Sequence, residues 1–196
     1  MKAATLTLAC LTTLAVPLAG DGALRRDADA LKEKVAAITA HAGRLDPRTR
    51  RTTVTEREVN AYLVYDATAQ LPAGVVEPSV QILGNGRVAG RAVVDLDAVR
   101  KQHGAAGLLD PASYLTGRLP VTATGVLSTA RGVGRFALES ASVGAVPIPK
   151  FLLQEIVGYY SKTPDQPNGI GLDDPFALPA RIRDIRVERG QAIIVQ

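Results

Sequence analysis

His41 and His103 are the only histidines in the chain and Cys10 is its only cysteine, so nucleophilic catalysis has few residues to draw on. A serine or cysteine hydrolase needs a nucleophile, a base and a group that orients the base. His41 falls on the charged side of an amphipathic stretch. His103 stands beside Gly104 at a helix end, where a cation suits the helix dipole. Both read as structural or surface groups. For a hard cation, Asp95 with Asp97 and Asp173 with Asp174 offer oxygen ligands, but neither pair has the alternating loop of a calcium-binding motif. Asp97 is expected to begin or cap a short helix. Glu56, Glu58, Glu139 and Glu155 are the carboxylates from which a glycosidase pair would be drawn, and nothing in their spacing selects two of them. Gly84-Asn85-Gly86 and Gly132-Val133-Gly134 lie between strand-like runs, whereas a phosphate cradle needs a strand-to-helix turn, so both read as hairpin turns. The expectation is a protein that is not an enzyme and uses no metal or cofactor.

The elements that carry these residues alternate between helix and hairpin. Ala23 to Ala42 contains Leu24, Leu31, Val35 and Ile38 at helical spacing. A basic loop with Arg44, Arg48, Arg50 and Arg51 follows. Thr55-Glu56-Arg57-Glu58 is a capping box, predicting a helix from Thr55 towards Pro72 with an apolar stripe through Val59, Tyr62 and Leu63. Val75 to Asp95 reads as a β-hairpin about an Asn-Gly turn. Leu96 to His103 reads as a short helix, Leu119 to Val143 as a longer hairpin, Pro149 to Ser161 as a helix with Pro149 in its first turn, and Ala180 to Gln196 as a third hairpin. The stretch Thr163 to Asp174 is a loop. The class is therefore α+β, with a strongly curved antiparallel sheet of successive hairpins wrapped around or packed on amphipathic helices. Ala89, Gly90, Ala92, Ala123 and Gly125 occupy strand positions where a packed core would want bulk, and an interior strand glycine marks a bend or a close approach.

The N-terminus carries Lys2, an uncharged run from Ala3 to Ala19, and then Gly20-Asp21-Gly22, the layout of a secretory signal peptide. Four threonines and Pro17 dilute the run as a spanning helix, although retention as an anchor is the alternative. Thr7-Leu8-Ala9-Cys10 fits a lipoprotein signal poorly. The expected organisation is a signal peptide over 1–19, an N-terminal helix and basic linker over 20–53, and one α+β domain over 54–196, located in the periplasm or secreted. A net charge of +4 without a concentrated basic stripe argues against nucleic-acid binding. The arginines between Arg44 and Arg51 suit transient contact with an anionic membrane surface. The chain has no Trp and few Phe, so its apolar surfaces are aliphatic walls.

Val54-Thr55-Glu56-Arg57-Glu58-Val59-Asn60-Ala61-Tyr62-Leu63, Gly134-Arg135-Phe136-Ala137-Leu138-Glu139-Ser140, Val146-Pro147-Ile148-Pro149-Lys150-Phe151-Leu152-Leu153 and Leu178-Pro179-Ala180-Arg181-Ile182 occur in that order. Over about residues 54–196 the chain thereby resembles exported bacterial lipid-binding proteins of the tubular, BPI-like kind. That resemblance implies a curled antiparallel sheet around a helix, with acyl chains in an apolar trough and no catalytic group. It implies a lining drawn from Val88, Val94, Val121, Leu127, Phe136, Leu138, Phe151, Leu152, Ile156 and Tyr159. Tyr62, Tyr65, Tyr114, Tyr159 and Tyr160 would place hydroxyls near a head group, and Arg131 and Arg135 would hold a phosphate.

The favoured expectation is a carrier or chaperone that sequesters an acyl or isoprenoid chain. The rival is a cell-envelope scaffold or interaction domain with a closed core, and a carboxylate hydrolase stands third.

Overall fold

The computed structural model describes residues 19–44, 48–72, 74–103, 117–160, 167, 169 and 171–196, without the side chains of residues 19–21, 99, 100, 102, 103, 156, 159 and 160. The signal-peptide reading of residues 1–18 lies outside the described residues. The class is α+β, with four α-helices and two antiparallel sheets among the described residues. No described helix is long and apolar enough to cross a membrane.

Helix α1 (Ala19–Ala42) contains the predicted Ala23–Ala42 helix. Its buried stripe is Ala28, Leu31, Ile38 and His41, while Leu24 and Val35 are 46% and 48% exposed. The stripe is rotated from the expected one because the neighbour is helix α2 (Glu56–Tyr65), which presents the buried Ala61. Ala28 and Ala61 are small enough to permit close approach, and Leu24 and Val35 fall at the rim. The rim is laced by ion pairs: Lys34–Glu58 at 2.6 Å, Arg57–Asp27 at 2.7 Å and Lys32–Asp66 at 2.8 Å.

The basic run does not end as a loop. Arg51–Thr55 forms strand β1, with Thr52 and Val54 turned inward. β-branched residues at period two are strand-forming, but five residues flanked by arginines are recognisable only with their partner, β9 (Gln191–Val195). β9 also pairs β8 (Asp184–Glu188), giving the small sheet β1-β9-β8. Ile38 of α1 packs there with Leu178 and Ile182, and Ile185 and Ile194 lie against them.

The capping box at Thr55 forms as predicted: Glu58 N donates to Thr55 Oγ1 at 3.3 Å and Thr55 N to Glu58 Oε2 at 2.9 Å. Helix α2 stops at Tyr65, short of Pro72, where Asp66 N closes onto Tyr62 O; a 3-10 turn follows over Thr68–Gln70.

The large sheet runs β2 (Val75–Gly84), β3 (Arg87–Asp95), β4 (Arg118–Ala130), β5 (Val133–Val143), β6 (Val146–Pro147), and β7 (Phe176–Ala177) also pairs β5. Helix α3 (Leu96–His103) follows β3, and α4 (Lys150–Tyr160) follows β6. Asn85 and Gly86 at φ 55° and 80°, and Arg131 and Gly132 at 49° and 83°, make the left-handed hairpin turns that the right-handed twist of the strands demands. Bulges between Val76 and Ser79, Ile82 and Gly84, and Thr124 and Gly125 bend the strands. The three predicted hairpins exist, but the third joins β1 in a second sheet.

Candidate functional site: the apolar face of the large sheet

Period-two alternation sorts the large sheet into unlike faces. One face carries Val75, Val80 and Ile82 from β2. Opposite them stand Val94, Gly90 and Val88 of β3, followed by Leu119, Ala123 and Gly125 of β4. Across β4 the same face continues with Leu138, Phe136, Ala141 and Val143 of β5. It has no charged residue among these positions, and most of them are half-buried. The other face also carries half-buried Val76, Val93 and Val126 but holds the polar side chains: Arg87 donates to Glu139 through two bonds of 2.9 Å, and Thr122 meets Ser142 at 2.7 Å.

The middle of the apolar face is a strip of small residues, Gly90, Ala92, Ala123 and Gly125. These glycines differ. A Cβ on Gly125 would meet the Phe136 ring at 2.5 Å and Ala137 O at 2.6 Å, so the ring lies directly on the backbone. A Cβ on Gly134 would meet the Phe176 ring at 2.6 Å. A Cβ on Gly90 would meet nothing within 4 Å, so among the described residues the face is open above β3. Among the described residues, no large side chain is fully buried anywhere in the chain.

Val88, Val94, Val121, Leu127, Phe136 and Leu138, six of the residues expected to line a trough, share this face. Phe151 and Leu152, on the first turn of α4, are 73% and 42% exposed and stand in solvent. The side chains of Ile156 and Tyr159 lie outside the described residues. So do those of Tyr160 and His103, together with Tyr114, residues 163–166 and two further positions of the 163–174 loop.

The other sequence candidates are held in structural roles. Glu56 Oε2 accepts from Ile82 N at 2.7 Å, and Asn60 brackets Val80, donating to its carbonyl at 2.8 Å and accepting from its N–H at 2.7 Å. Gly190 N donates to Ile82 O at 2.8 Å. Helix α2 and the β8–β9 turn thereby occupy the outer edge of β2, which would otherwise present unpaired backbone groups. The Thr55–Asn60 signature thus marks an edge clamp, a role for Glu56 and Asn60 that the helix pattern did not reveal.

Glu58 is pushed up by burial, but the Lys34 ammonium and the Thr55 N–H outweigh this and hold it below the ordinary carboxylate range. Asp95, not Asp97, caps α3, accepting from Ala98 N at 3.0 Å and Asp97 N at 3.1 Å. Those bonds, led by Ala98, hold its carboxyl low against the opposing effect of burial. Asp173 pairs with Lys150 at 2.7 Å, and Asp174 accepts from Gly171 N at 2.7 Å. Among the described residues, no group of three His, Cys, Asp or Glu side chains is arranged to hold a metal ion. Glu155 is exposed on α4 and Glu139 is engaged by Arg87 on the polar face.

Arg25 sits 5.4 Å from the centroid of the Tyr65 ring, which commits that tyrosine to the α1–α2 side. Arg135 pairs with Ser128 at a polar-face position, opposite the trough, so it does not serve a head group there. His41, expected on the charged surface, is buried beside Arg48, whose carbonyl lies 2.9 Å from its Nε2. It lines a cleft of about 240 Å³ at the end of α1, not on the apolar face. No family model, curated protein or solved structure matches this chain.

Proposed function

We propose that the protein is an exported, non-catalytic carrier or chaperone that lays an acyl or isoprenoid chain along the apolar face of its large sheet. The observation that carries this reading is the open space above Gly90, at the centre of a face without charge. Each methylene that a ligand buries there contributes about 0.8 kcal/mol, and flat small-residue backbone lets a narrow chain lie close. The absence of any large, fully buried side chain among the described residues supports an open sheet over a closed core. The resemblance to tubular lipid-binding proteins supports the same class of ligand.

Mass spectrometry of solvent extracts from protein purified out of its exporting host tests the reading. Stoichiometric phospholipid or isoprenoid lipid is the expected result. An extract free of lipid, from protein that also takes up no fluorescent apolar ligand, overturns it in favour of an envelope interaction domain.

A further inference from the structure

We propose that the segment from Ala145 to Leu152 is a bilayer-docking tip, which inserts apolar side chains into a lipid membrane where the apolar face of the large sheet reaches its edge. The passage of acyl chains between membrane and sheet rests on the carrier reading; the tip itself rests on exposure and continuity.

Between Val143 and Leu153 the chain holds a single charge, Lys150. Its ammonium is met by Asp173 at 2.7 Å. An apolar run of this kind is ordinarily core. Here Ala145, Val146, Pro147, Pro149, Phe151 and Leu152 are all exposed, Val146 to 63% and Phe151 to 73%. Backbone chemistry holds them out. Ile148 N still donates to Ala141 O at 2.9 Å, but Pro149 has no N–H with which to continue the ladder along β5. The carbonyl of Pro149 instead accepts from Leu152 N and Leu153 N, each at 3.1 Å, and the first turn of α4 carries Phe151 and Leu152 into solvent.

The tip is continuous with the trough. Val146 stands directly across from Val143, and a cross-strand pair shares one face. Val143 pairs in turn with Val121, so Val146 widens the uncharged face by one strand. Ile148, two residues on, falls on the same face beside Ala141. An apolar path thus leads from Ala123 through Ala141, Val143 and Val146 towards α4.

Area and charge favour a bilayer as the occupant. The exposed side chains offer a few hundred Å², short of the roughly 800 Å² a side that a stable protein interface needs. A membrane needs no such minimum, because it gains from each inserted side chain separately. The cations at this end of the sheet are already paired, Lys150 with Asp173 and Arg118 with Asp95 at 3.4 Å. Docking here is therefore driven by apolar insertion and is indifferent to lipid charge, unlike contact through the arginines that lead into β1.

The chain has no Trp, so one introduced by substitution reports alone. In protein purified from its exporting host, Phe151→Trp emission should shift to the blue on adding phosphatidylcholine vesicles, and brominated acyl chains should quench it. Val64→Trp, 59% exposed on α2 at the opposite edge of the large sheet, should not respond. Phe151→Asp, shown folded by circular dichroism, should float with the vesicles at least about tenfold less than the parent. Higher salt should change none of this. No shift, an equal shift at Val64→Trp, or Phe151→Asp that floats like the parent overturns the tip. Flotation confined to anionic vesicles and abolished by salt overturns it in favour of the basic run. A blue shift without vesicles, with doubled mass in ultracentrifugation, overturns it in favour of a second copy. Lipid in solvent extracts without docking leaves the carrier reading standing and removes the tip; docking without extracted lipid does the reverse.

Discussion

Asn60 fastens the edge of β2 by offering one carboxamide to both backbone groups of Val80. Asn60→Ala strips both partners at once, and a loss of about 1–3 kcal/mol is expected in urea unfolding. The two strand glycines separate packing from ligand space. Gly125→Ala drives a methyl into the Phe136 ring and Ala137 O, and should destabilise by about 1–3 kcal/mol. Gly90→Leu meets open space on a strand that gains from a side chain, so stability should hold or rise by about 0.5–1 kcal/mol. Uptake of a fluorescent fatty acid should fall in that variant, because the new side chain fills the trough. Retained uptake would remove Gly90 from the ligand's path. That Gly90 and Gly125 were special was legible in the sequence from their strand positions. Which was covered and which was open was not, because the answer depends on where the Phe136 ring comes to rest across β4 and β5.

At the scale of elements, the α1–α2 pair depends on charge at its rim. Glu58 titrates low in the fold despite the opposing effect of burial. Asp184 is also low, chiefly through the Thr129 hydroxyl at 2.5 Å. Groups whose folded pKa is depressed stabilise the fold above the unfolded carboxylate pKa of about 4. That contribution disappears as pH falls through the folded values. Thermal melts should therefore be flat from neutral pH down to about pH 5 and drop below about pH 4. In Lys34→Gln burial is less opposed and the Glu58 pKa rises toward its unfolded value, so stability at neutral pH should fall and the acid drop should become shallower; an unchanged profile would show that the ion pair contributes nothing.

Thr129 joins the large sheet to the small one, accepting from Ile185 N at 2.8 Å while donating to Asp184. Thr129→Val should cost about 1–3 kcal/mol, read in urea unfolding. Hairpins, capping box and helices were legible because turn residues and capping pairs act within a few positions. Strand β1 was not, since its Thr-Thr-Val-Thr run is short and its partner β9 lies at the far end of the chain.

For the whole molecule, the central expectation is co-purifying lipid, found in solvent extracts and diminished in Gly90→Leu. Loss of lipid from that variant with unchanged melting would tie the ligand to the open face, whereas lipid bound equally by both would place it elsewhere. The sequence by itself determined the α+β class, the antiparallel hairpins and their turns, the capped second helix and the aliphatic, small-residue character of one sheet face. Each of these follows from local rules of backbone geometry and side-chain period. Only the tertiary structure decided that the third hairpin leaves the large sheet to pair with β1 and that α1 buries His41 in place of Val35. The tertiary structure also brought Arg181, Arg183 and Gln196 to the end of that helix, and among the described residues left the space above Gly90 open while Phe136 covers Gly125. Those outcomes rest on contacts between residues far apart in the chain, where shape and pairing across elements outweigh what neighbouring residues prescribe.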